Sequence, residues 1–386
     1  MTPKFDAISR RRKNVPEFIG IETVMIPAWK FKREWNRLVM QASQWHWFLF
    51  AGLRRRRHDI HKTFAMKVTE GAVAPAPNMA ILLIYQPDTV LGSTYDTLDH
   101  FRDKGVSPVV VSNTPLSAAD EARLAEKAHL VIQRPNYGYD FGGYRDAVLA
   151  LKSRKIHLDN LFIVNDSIWF PIWPDCDLID RALANPADLF GIFYNDREGR
   201  EHRSHLQSYF FRFGPKVLHS RDFLTFWRRI MLTNNKHMVI RQCEMKLTHY
   251  FTSRGYSRDQ LYDLTTLKAA TKALPDDQLR EALEYHALVE TRSATEIASI
   301  LADTSDNWRA CAEQMIDGEK VAKYYLIAHP HTLFGQMKSP MIKKDKQPIY
   351  SFQRGEMVRL GYDKDMRPIV AEEVRHRIGD ASQLPR

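Results

Sequence analysis

The stretch that decides the fold is VIQRPNYGYDFGGYRDAVLALKSRKIHLDNLFIVNDSIWFP, residues 131–171. It begins with an apolar run, passes through a glycine-rich loop into a helical segment, and continues as the apolar run 161–164. That second run stops abruptly at Asn165, Asp166 and Ser167. Open α/β sheets bind ligands in the crevice at the carboxyl ends of their strands. We therefore expect an active site where these polar residues follow the strand.

The chain before this stretch repeats the same strand–helix pattern. Apolar runs predict strands at 80–85, 109–113 and 130–132, and the intervening segments 94–104 and 117–128 have helical character, with Ser117 as an N-cap. Continuous apolar runs are typical of parallel strands that are buried on both faces. The expected fold class is α/β, a Rossmann-like, mostly parallel sheet flanked by helices.

Charge and cysteine content limit the function classes. The chain has 386 residues, a net charge of +10 and a pI near 9.4, which indicates an anionic partner such as nucleic acid, lipid head groups or a phosphorylated substrate. Its three cysteines, Cys176, Cys243 and Cys311, are widely spaced and form no CxxC pair. This argues against a disulfide framework or a zinc site and fits a reducing cytosol.

The N-terminal region is basic and amphipathic. Residues 1–15 are polar and lack the apolar segment of a secretory signal. Apolar residues recur at helical spacing over 29–53, and the densest part, 45–53, is about half the roughly 20 residues that a membrane span needs. Basic runs at 10–13 and 54–57 flank this helix. Two interpretations remain open: a helix lying in an anionic membrane surface, or an amphipathic helix packed on the protein's own core.

The linker EGAVAPAPN, residues 70–78, divides this arm from the rest of the chain. The predicted organisation is a basic amphipathic arm over 1–76, a catalytic domain over 77–345 with a helical insertion at about 271–323, and a C-terminal tail over 346–386. Within the later part, residues 324–334 and 357–360 have strand-like composition.

The glycine-rich loop admits two interpretations. Residues 136–145, NYGYDFGGYR, follow a strand and open a helix, so the loop can cradle a phosphate at the helix N-terminus. The motif is not the dinucleotide fingerprint, because G-x-G-x-x-G is absent. The alternative is a structural turn in which Gly142 and Gly143 pack against a strand.

Asp166 also admits two interpretations. A carboxylate after a buried strand can hold a divalent cation that neutralises a diphosphate leaving group. The alternative is an aspartate that caps a following turn. Three strand ends, at Asn113, 136–140 and Asp166, are expected to meet at one crevice, and this favours the chemical interpretation.

The ordered segments VVVSN, QRPNYGYDFGGYRD, LFIVNDSIWFPI, HLQSYFFRF and CEMKLTHYFTSRGY resemble the rhamnan synthesis F family over about residues 80–256. These proteins are glycosyltransferases that build rhamnose-containing cell-wall and O-antigen polysaccharides. The resemblance implies a GT-A-like fold, in which a short acidic motif after a strand binds metal and diphosphate. Asp166 stands at that motif, with Asn165 in place of the first acid of a D-x-D. The implied cofactor is a divalent cation, Mg²⁺ or Mn²⁺.

The resemblance also implies roles for residues of the donor site. The expected contacts are Tyr85 and Asn113 to the nucleobase, Asn136, Gly138, Asp140 and Arg145 to ribose and diphosphate, and His331 and Lys343 with Asp166 at the diphosphate and metal. The family's usual segment near the C-terminal end of the domain starts with Asn-Pro and ends with Pro-Phe-x-Lys, so His329 and Met341 depart from it.

The later half is expected to supply the base and the acceptor site. Glu244, at the start of a helical stretch, is the candidate general base, although it could equally complement the helix dipole, and Glu201 and Asp222 compete with it. Gln207 and Tyr209 are candidate acceptor contacts in an alternating polar–aromatic strand whose aromatic residues could instead serve sheet packing.

The resulting hypothesis is a glycosyltransferase that moves rhamnose from dTDP-rhamnose to a lipid-linked glycan or growing polysaccharide in a single inverting displacement. We expect it in the cytoplasm, either free or peripheral on the inner face of the plasma membrane. Two alternatives come from other classes: a non-catalytic scaffold of polysaccharide assembly, and a basic nucleic-acid-binding protein. No recognisable nucleic-acid motif is present, so we expect no nucleic-acid partner.

Overall fold

The computed structural model of the protein describes residues 50–197, 200–305, 307–318 and 322–384, together with Trp35. Phe50–Arg386 forms one compact unit. Apart from Trp35 and residues 50–53, the predicted helix over 29–53 lies outside the described residues, as does the rest of the predicted arm before residue 50. No helix within the described ranges combines the length and the apolar character that crossing a bilayer requires.

A nine-stranded sheet forms the centre of the protein. The strands are β1 (Lys67–Glu70), β2 (Asn78–Ile84), β3 (Ser107–Ser112), β4 (Leu130–Gln133), β5 (Asn160–Asn165), β7 (Leu189–Asn195), β8 (His205–Leu206), β9 (Phe210–Phe213) and β10 (Arg258–Tyr262). Their order is β1-β4-β3-β2-β5-β9-β7-β10, with β8 paired to β7. Strands β4, β3, β2 and β5 are parallel, β9 is antiparallel to both neighbours, and β10 is parallel to β7.

A separate two-stranded sheet joins β6 (Ile168–Trp169) to β11 (Ile342–Lys343) in antiparallel register. It therefore fastens the residues just after β5 to a segment far along the chain. This small sheet matters because it brings a pair of lysines to the carboxyl end of β5.

Helices cover the sheet. They are α1 (Ala51–Ala65), α2 (Gly92–Asp103), α3 (Ala118–Lys127), α4 (Tyr139–Ser153), α5 (Leu178–Ala184), α6 (Pro215–Leu218), α7 (Arg221–Arg229), α8 (Lys236–Val239), α9 (Met245–Thr252), α10 (Leu264–Lys272), α11 (Asp276–Val289), α12 (Ala294–Ala302), α13 (Trp308–Gly318), α14 (Pro348–Arg359) and α15 (Pro368–Arg375). Shorter 3₁₀ segments are Glu201–Arg203, Ala322–Ile327, Tyr362–Asp365 and Ala381–Gln383, and π-helical turns are Ile240–Glu244 and His331–Gln336.

The core confirms the predicted fold class, an α/β protein with a mostly parallel sheet and helices on its faces. Along β2, Ala80 and Leu82 belong to one apolar cluster, whereas Ile81 and Leu83 belong to another. Because successive side chains of a strand point to opposite faces, both faces of the central strands are covered. The continuous apolar runs in the sequence follow from this double burial.

Some segments differ from the expectations. Residues assigned to the arm form α1 and the edge strand β1, which pairs with β4. The strand-like segment 324–334 is instead 3₁₀ and π-helical, and its Pro330 has no N–H for a strand ladder. The strand expected at 357–360 is instead the C-terminal end of α14 and its C-cap Leu360; this helix begins at Pro348, a residue favoured in the first turn of helices.

The predicted helical insertion is helical throughout α11, α12 and α13. These helices share a small apolar cluster of their own, which includes Leu279, Ile297 and Trp308. The C-terminal residues are also built into the compact unit, since α14 and α15 contribute Met357 and Val370 to the main core.

Candidate active site

The carboxyl ends of β2 and β5 define the candidate site. From β2 the chain continues to β3 and β4 on one side, whereas β5 lies on the other side of β2. This is the topological switch point at which open α/β sheets form a crevice. Asp166 follows β5 directly, and one carboxylate oxygen, Oδ2, accepts the backbone N–H of Tyr85 at 2.7 Å and the side-chain amide of Gln86 at 3.1 Å. Asp166 is therefore held across the switch point.

The turn after β5 is stabilised by Asn165 and not by Asp166. Asn165 Oδ1 accepts the backbone N–H of Ser167 at 3.1 Å and its hydroxyl at 2.5 Å. Within the residues that the structure describes, the second oxygen of Asp166, Oδ1, has no hydrogen-bond donor. The arrangement supports the chemical interpretation of Asp166 over the turn-capping one, because its neighbour already performs the capping.

A second carboxylate, Asp140, lies beside Asp166 in the first turn of α4. The amide of Asn165 donates to Asp140 Oδ2 at 3.2 Å. Burial, followed by the negative charges of Asp166 and Glu244, raises the pKa of Asp140 to about 6. Three acidic side chains, from the residue after β5, from α4 and from the turn before α9, therefore share one electrostatic environment.

Two lysines on the β11 side balance these acids. Lys343 Nζ donates to the Ser167 hydroxyl at 3.1 Å and lies 4.4 Å from the centre of the Tyr209 ring. Burial lowers the pKa of Lys343 to about 8, and the charges of Glu244 and Asp140 oppose this shift. A partly buried ammonium group between carboxylates is suited to a ligand that carries negative charge of its own.

Lys344, its neighbour, was not singled out by the sequence. Its Nζ donates to Ser93 Oγ at 3.3 Å, and burial lowers its pKa to about 8 while the charges of Asp166 and Glu373 oppose the shift. Glu373 accepts the Ser93 N–H at 2.8 Å and the indole N–H of Trp169 at 2.7 Å. The C-terminal helix α15 thus reaches the crevice through Glu373.

The glycine-rich loop has a structural explanation for two of its glycines. A Cβ on Gly142 would lie 2.0 Å from the carbonyl oxygen of Tyr137, and one on Gly143 would lie 2.2 Å from Leu83 Cδ1 of β2. Gly138 has a φ of +79°, in the left-handed region, and precedes α4 as its N-cap. The packing interpretation therefore accounts for Gly142 and Gly143, and the close approach of α4 to β2 is what brings Asp140 to the site.

Arg145 is not brought to the crevice. Its guanidinium forms a bidentate pair with Asp59 of α1 at 2.7 and 2.8 Å and donates to the Trp227 carbonyl at 3.0 Å. On α4, residues 140 and 145 lie on different faces, and the face of Arg145 packs against α1 and α7. Its charge is occupied in joining these helices.

Some of the other residues predicted to bind the donor form hydrogen bonds within the protein. Asn113 Oδ1 accepts from Arg134 at 2.6 Å. Tyr85 is 54% exposed at the end of β2, and Asn136 Oδ1 is buried without a hydrogen-bond partner among the described residues. Gly138 N–H donates to Asn234 Oδ1 at 3.4 Å.

The histidines near the end of the predicted domain lie apart from the acids. His331 Nδ1 is 2.8 Å from the Tyr362 hydroxyl, and its Nε2 is 3.3 Å from Glu281 of α11. Burial lowers the pKa of His329 to about 3, so this ring is neutral. The structure places neither ring with Asp166.

Among the candidate bases and acceptor contacts, some lie at the crevice and others do not. Glu244 joins the acidic group, whereas Asp222 accepts from the Tyr256 hydroxyl at 3.1 Å and Glu201 lies exposed in a 3₁₀ turn. Tyr209 is buried beneath Lys343, so its ring forms the floor of the site, and the half-buried Gln207 donates its backbone N–H to Phe193.

The acidic group fits a cation that is shared with a substrate. Asp166 Oδ1 has no donor among the described residues, and Asp140 is a buried carboxylate whose pKa is raised first by that burial and then by the charges of Asp166 and Glu244. In the part of the chain that the structure describes, the three-residue grouping close enough to hold an ion without a substrate lies elsewhere, at His157, Asp159 and His219. Mg²⁺ commonly binds through one or two carboxylates plus substrate phosphates, and the crevice matches that pattern.

Comparison with known proteins identifies the family. A family model described as rhamnan synthesis protein F matches residues 108–292. The uncharacterized protein y4gN of Sinorhizobium fredii is 37% identical over 365 residues, which cover 92% of this chain and 93% of that protein. The chain belongs to the rhamnan synthesis protein F family, as its motifs predict. Membership of this glycosyltransferase-like family supports sugar transfer as the general class of reaction.

More distant similarities are partial or weak. Virulence protein VirA of Vibrio anguillarum is 28% identical over 153 residues, which cover 39% of this chain and 47% of VirA. Among solved structures, the chain is similar to the mannosyltransferase PcManGT from Pyrobaculum calidifontis in complex with GDP-Man and Mn²⁺. That similarity has 12% identity, coverage of 88% of this chain and 89% of the other, and a TM-score of 0.31.

Proposed function

We propose that the protein is a glycosyltransferase that takes its sugar from a nucleotide diphosphate and passes it to a glycan. The observation that carries this proposal is the crevice between β2 and β5, where Asp166 lies near Lys344 and Asp140 lies near Lys343. A site with both carboxylates and ammonium groups suits an anionic ligand that carries a bound cation: the ammonium groups bind the anion and the carboxylates bind the cation. A nucleotide diphosphate with a divalent cation has this composition.

In this proposal, Asp166 and Asp140 hold a divalent cation, Mg²⁺ or Mn²⁺. When bound, such a cation stabilises the negative charge that develops on the leaving diphosphate. Lys343 and Lys344 bind the phosphates from the β11 side, and the phosphate charge favours the protonated form of each lysine. The exposed ring of Tyr85 lies at the end of β2, where it can cover the nucleobase.

Glu244 is the proposed general base. In a single displacement, the acceptor hydroxyl attacks the anomeric carbon on the face opposite the diphosphate, and Glu244 takes the proton from that hydroxyl. The new glycosidic bond forms as the bond to the diphosphate breaks, so the anomeric configuration inverts. Glu244 is suited to this role because it lies within electrostatic reach of Asp140 but belongs to a different segment, the turn before α9.

Rhamnose as the sugar and dTDP-rhamnose as the donor are proposed on family membership. A lipid-linked glycan is the proposed acceptor, and the inner face of the plasma membrane is the proposed location. The net charge of +10 and the four consecutive arginines at 54–57, where α1 begins, favour contact with an anionic surface.

A thermal-shift panel tests the donor site. The full chain is melted with dTDP, UDP or GDP, each with and without Mg²⁺ or Mn²⁺, because a ligand that binds only the folded state raises Tm. We expect one nucleotide to stabilise the protein in a cation-dependent manner, and Asp166→Asn to remove the cation dependence. Asp88→Asn, an exposed aspartate in the loop after β2, is the matched control.

An assay of sugar transfer then distinguishes an enzyme from a non-catalytic scaffold. Glu244→Gln should keep nucleotide binding but lose sugar transfer from dTDP-rhamnose to a lipid-linked glycan. An active Glu244→Gln variant would eliminate this base. Nucleotide binding without any transfer by the wild-type protein, across donors and acceptors, would favour the scaffold instead.

A further inference from the structure

A group of metal-binding side chains lies at the opposite end of β5 from Asp166. His157 and Asp159 precede β5, and His219 follows α6. One potential ligand atom of each of these residues lies within 4.8 Å of those of the other two. His157 Nε2 is 3.2 Å from Asp159 Oδ1, a separation that two ligands of one transition-metal ion can have.

The orientation of His219 is fixed in the manner of a metal ligand. Its Nε2 lies 2.9 Å from the carbonyl oxygen of Leu158, so this nitrogen carries the proton and the lone pair of the neutral ring is on Nδ1. Metal-binding histidines commonly donate their other ring N–H to a backbone carbonyl, which sets the tautomer and the ring direction. The His157 ring lies beside it, with the ring centres 4.9 Å apart.

The backbone that carries these side chains is fixed. Leu158, between His157 and Asp159, is buried, and the Asp159 N–H donates to the Pro77 carbonyl at 2.7 Å. The side chains of His157 and Asp159 are 71% and 51% exposed, so an ion can reach them directly from solvent. The ligands are thus accessible while their attachment points are held in place.

The composition of the group selects the ion. Two imidazoles and one carboxylate suit zinc and similar transition metals, whereas Mg²⁺ and Ca²⁺ prefer oxygen ligands. This group lies far from the crevice, since seven residues of extended chain from Asp159 to Asp166 span on the order of 20 Å. A cation at the crevice and a cation here would therefore bind independently.

We propose that His157, Asp159 and His219 form a zinc-class metal site that joins the loop before β5 to the turn between α6 and α7. Water completes the coordination, as three protein ligands leave at least one position open. The site cross-links two segments that are far apart in the chain, and this is a stabilising role distinct from sugar transfer.

Calorimetric titration of the chelator-treated full chain with Zn²⁺ tests the proposal. We expect one equivalent whose affinity falls at least about 10-fold in His157→Ala and in His219→Ala, because removing even an outer partner of a ligand costs about 10–100-fold. Mg²⁺ in excess should leave this equivalent unchanged. Because the His157 side chain is mostly exposed, His157→Ala is the variant that should not disturb folding.

Two controls locate the site. His376→Ala, an exposed histidine after α15, should bind Zn²⁺ as the wild type does, and Asp166→Asn should also retain the equivalent. The proposal is overturned if the wild type takes up no equivalent, if His157→Ala binds as tightly as the wild type, or if Asp166→Asn loses the equivalent. The last outcome would place the zinc in the crevice.

Discussion

Replacing Asp140 with asparagine should stabilise the protein at neutral pH. In the wild type, burial and the charges of Asp166 and Glu244 raise the pKa of Asp140 to about 6 from a usual value of 3.8. Ionised Asp140 therefore costs folding free energy, and a neutral asparagine of the same shape does not incur that cost. Asn165 can still donate to the side-chain oxygen at this position.

The magnitude follows from the pKa shift. One pKa unit corresponds to about 1.4 kcal/mol, so a shift of about 2 units sets an upper limit near 3 kcal/mol for the gain from Asp140→Asn. Unfolding entropy is about 2.1 cal/mol/K per residue, so a chain of 386 residues gains at most about 4 °C in Tm.

The stability difference between Asp140→Asn and the wild type should depend on pH. The unfavourable charge is fully present above the folded pKa of about 6, and it is absent below the unfolded pKa of 3.8, where Asp140 is protonated in both states. The stability difference between Asp140→Asn and the wild type should thus be largest at pH 7, shrink between pH 6 and pH 4, and vanish below that range.

Thermal or urea unfolding of both proteins across this pH range measures the difference, with exposed Asp88→Asn as the control. Adding Asp166→Asn to Asp140→Asn should give less than the sum of the separate effects, because each substitution relieves the same repulsion. A destabilised Asp140→Asn protein at pH 7, or a difference that does not change with pH, would refute the reasoning.

Three further predictions concern other parts of the fold and site. Gly142→Ala should destabilise the protein by at least about 1–3 kcal/mol in urea unfolding, because its Cβ would overlap the Tyr137 carbonyl; unchanged stability would contradict the observed packing. Asp146→Asn should cost about 3–5 kcal/mol, since the buried carboxylate pairs with Lys62 of α1 and with Arg134, which follows β4, and both would lose their partner; a loss below 1 kcal/mol would show that the pairs are not needed. Nucleotide diphosphate affinity should decline as pH rises above about 8, where Lys343 and Lys344 lose the charge that the ligand restores; calorimetry in two buffers should show proton uptake on binding that grows as pH rises through about 8, and a flat profile to pH 9.5 would remove the lysines from the phosphate site.

The central sheet could be predicted because its strands are buried on both faces. That burial leaves continuous apolar runs, and their order along the chain gives the parallel arrangement of β2, β3, β4 and β5. Local helix signals were equally readable: Ser117 accepts the Asp120 N–H at 3.0 Å, as its N-cap position predicts. These features depend on neighbours in sequence.

The C-terminal half of the site could not be predicted, because its contacts join distant residues. Glu373 contacts Ser93 and Trp169 across most of the chain, and no local pattern in α15 indicates this. The β6–β11 sheet has strands of two residues, too short for an alternation to be visible. The lysine pair in KSPMIKKD, residues 338–345, is visible in the sequence, but the family resemblance implies a role for Lys343 alone.

The sequence also does not determine which neighbouring element a given helix residue faces. Arg145 follows the glycine-rich loop closely enough to suggest phosphate binding, yet the pairing with Asp59 depends on where α1 lies. Histidine groupings have the same limitation. The low cysteine count argued against zinc, but His219 joins His157 only through the fold.

The departure of Asn165 from an acidic motif follows from the geometry of the site. Its Oδ1 accepts from the Ser167 backbone, while its amide donates to Asp140 at 3.2 Å. An aspartate at this position could still accept from Ser167 but would direct a further negative charge at Asp140, whose pKa is already raised by burial and by the charges of Asp166 and Glu244. Asparagine therefore supplies the turn and a donor while one carboxylate, Asp166, stays free to face a cation. The replaced acid is consistent with a cation held between the protein and a diphosphate, because such an ion needs few carboxylates from the chain.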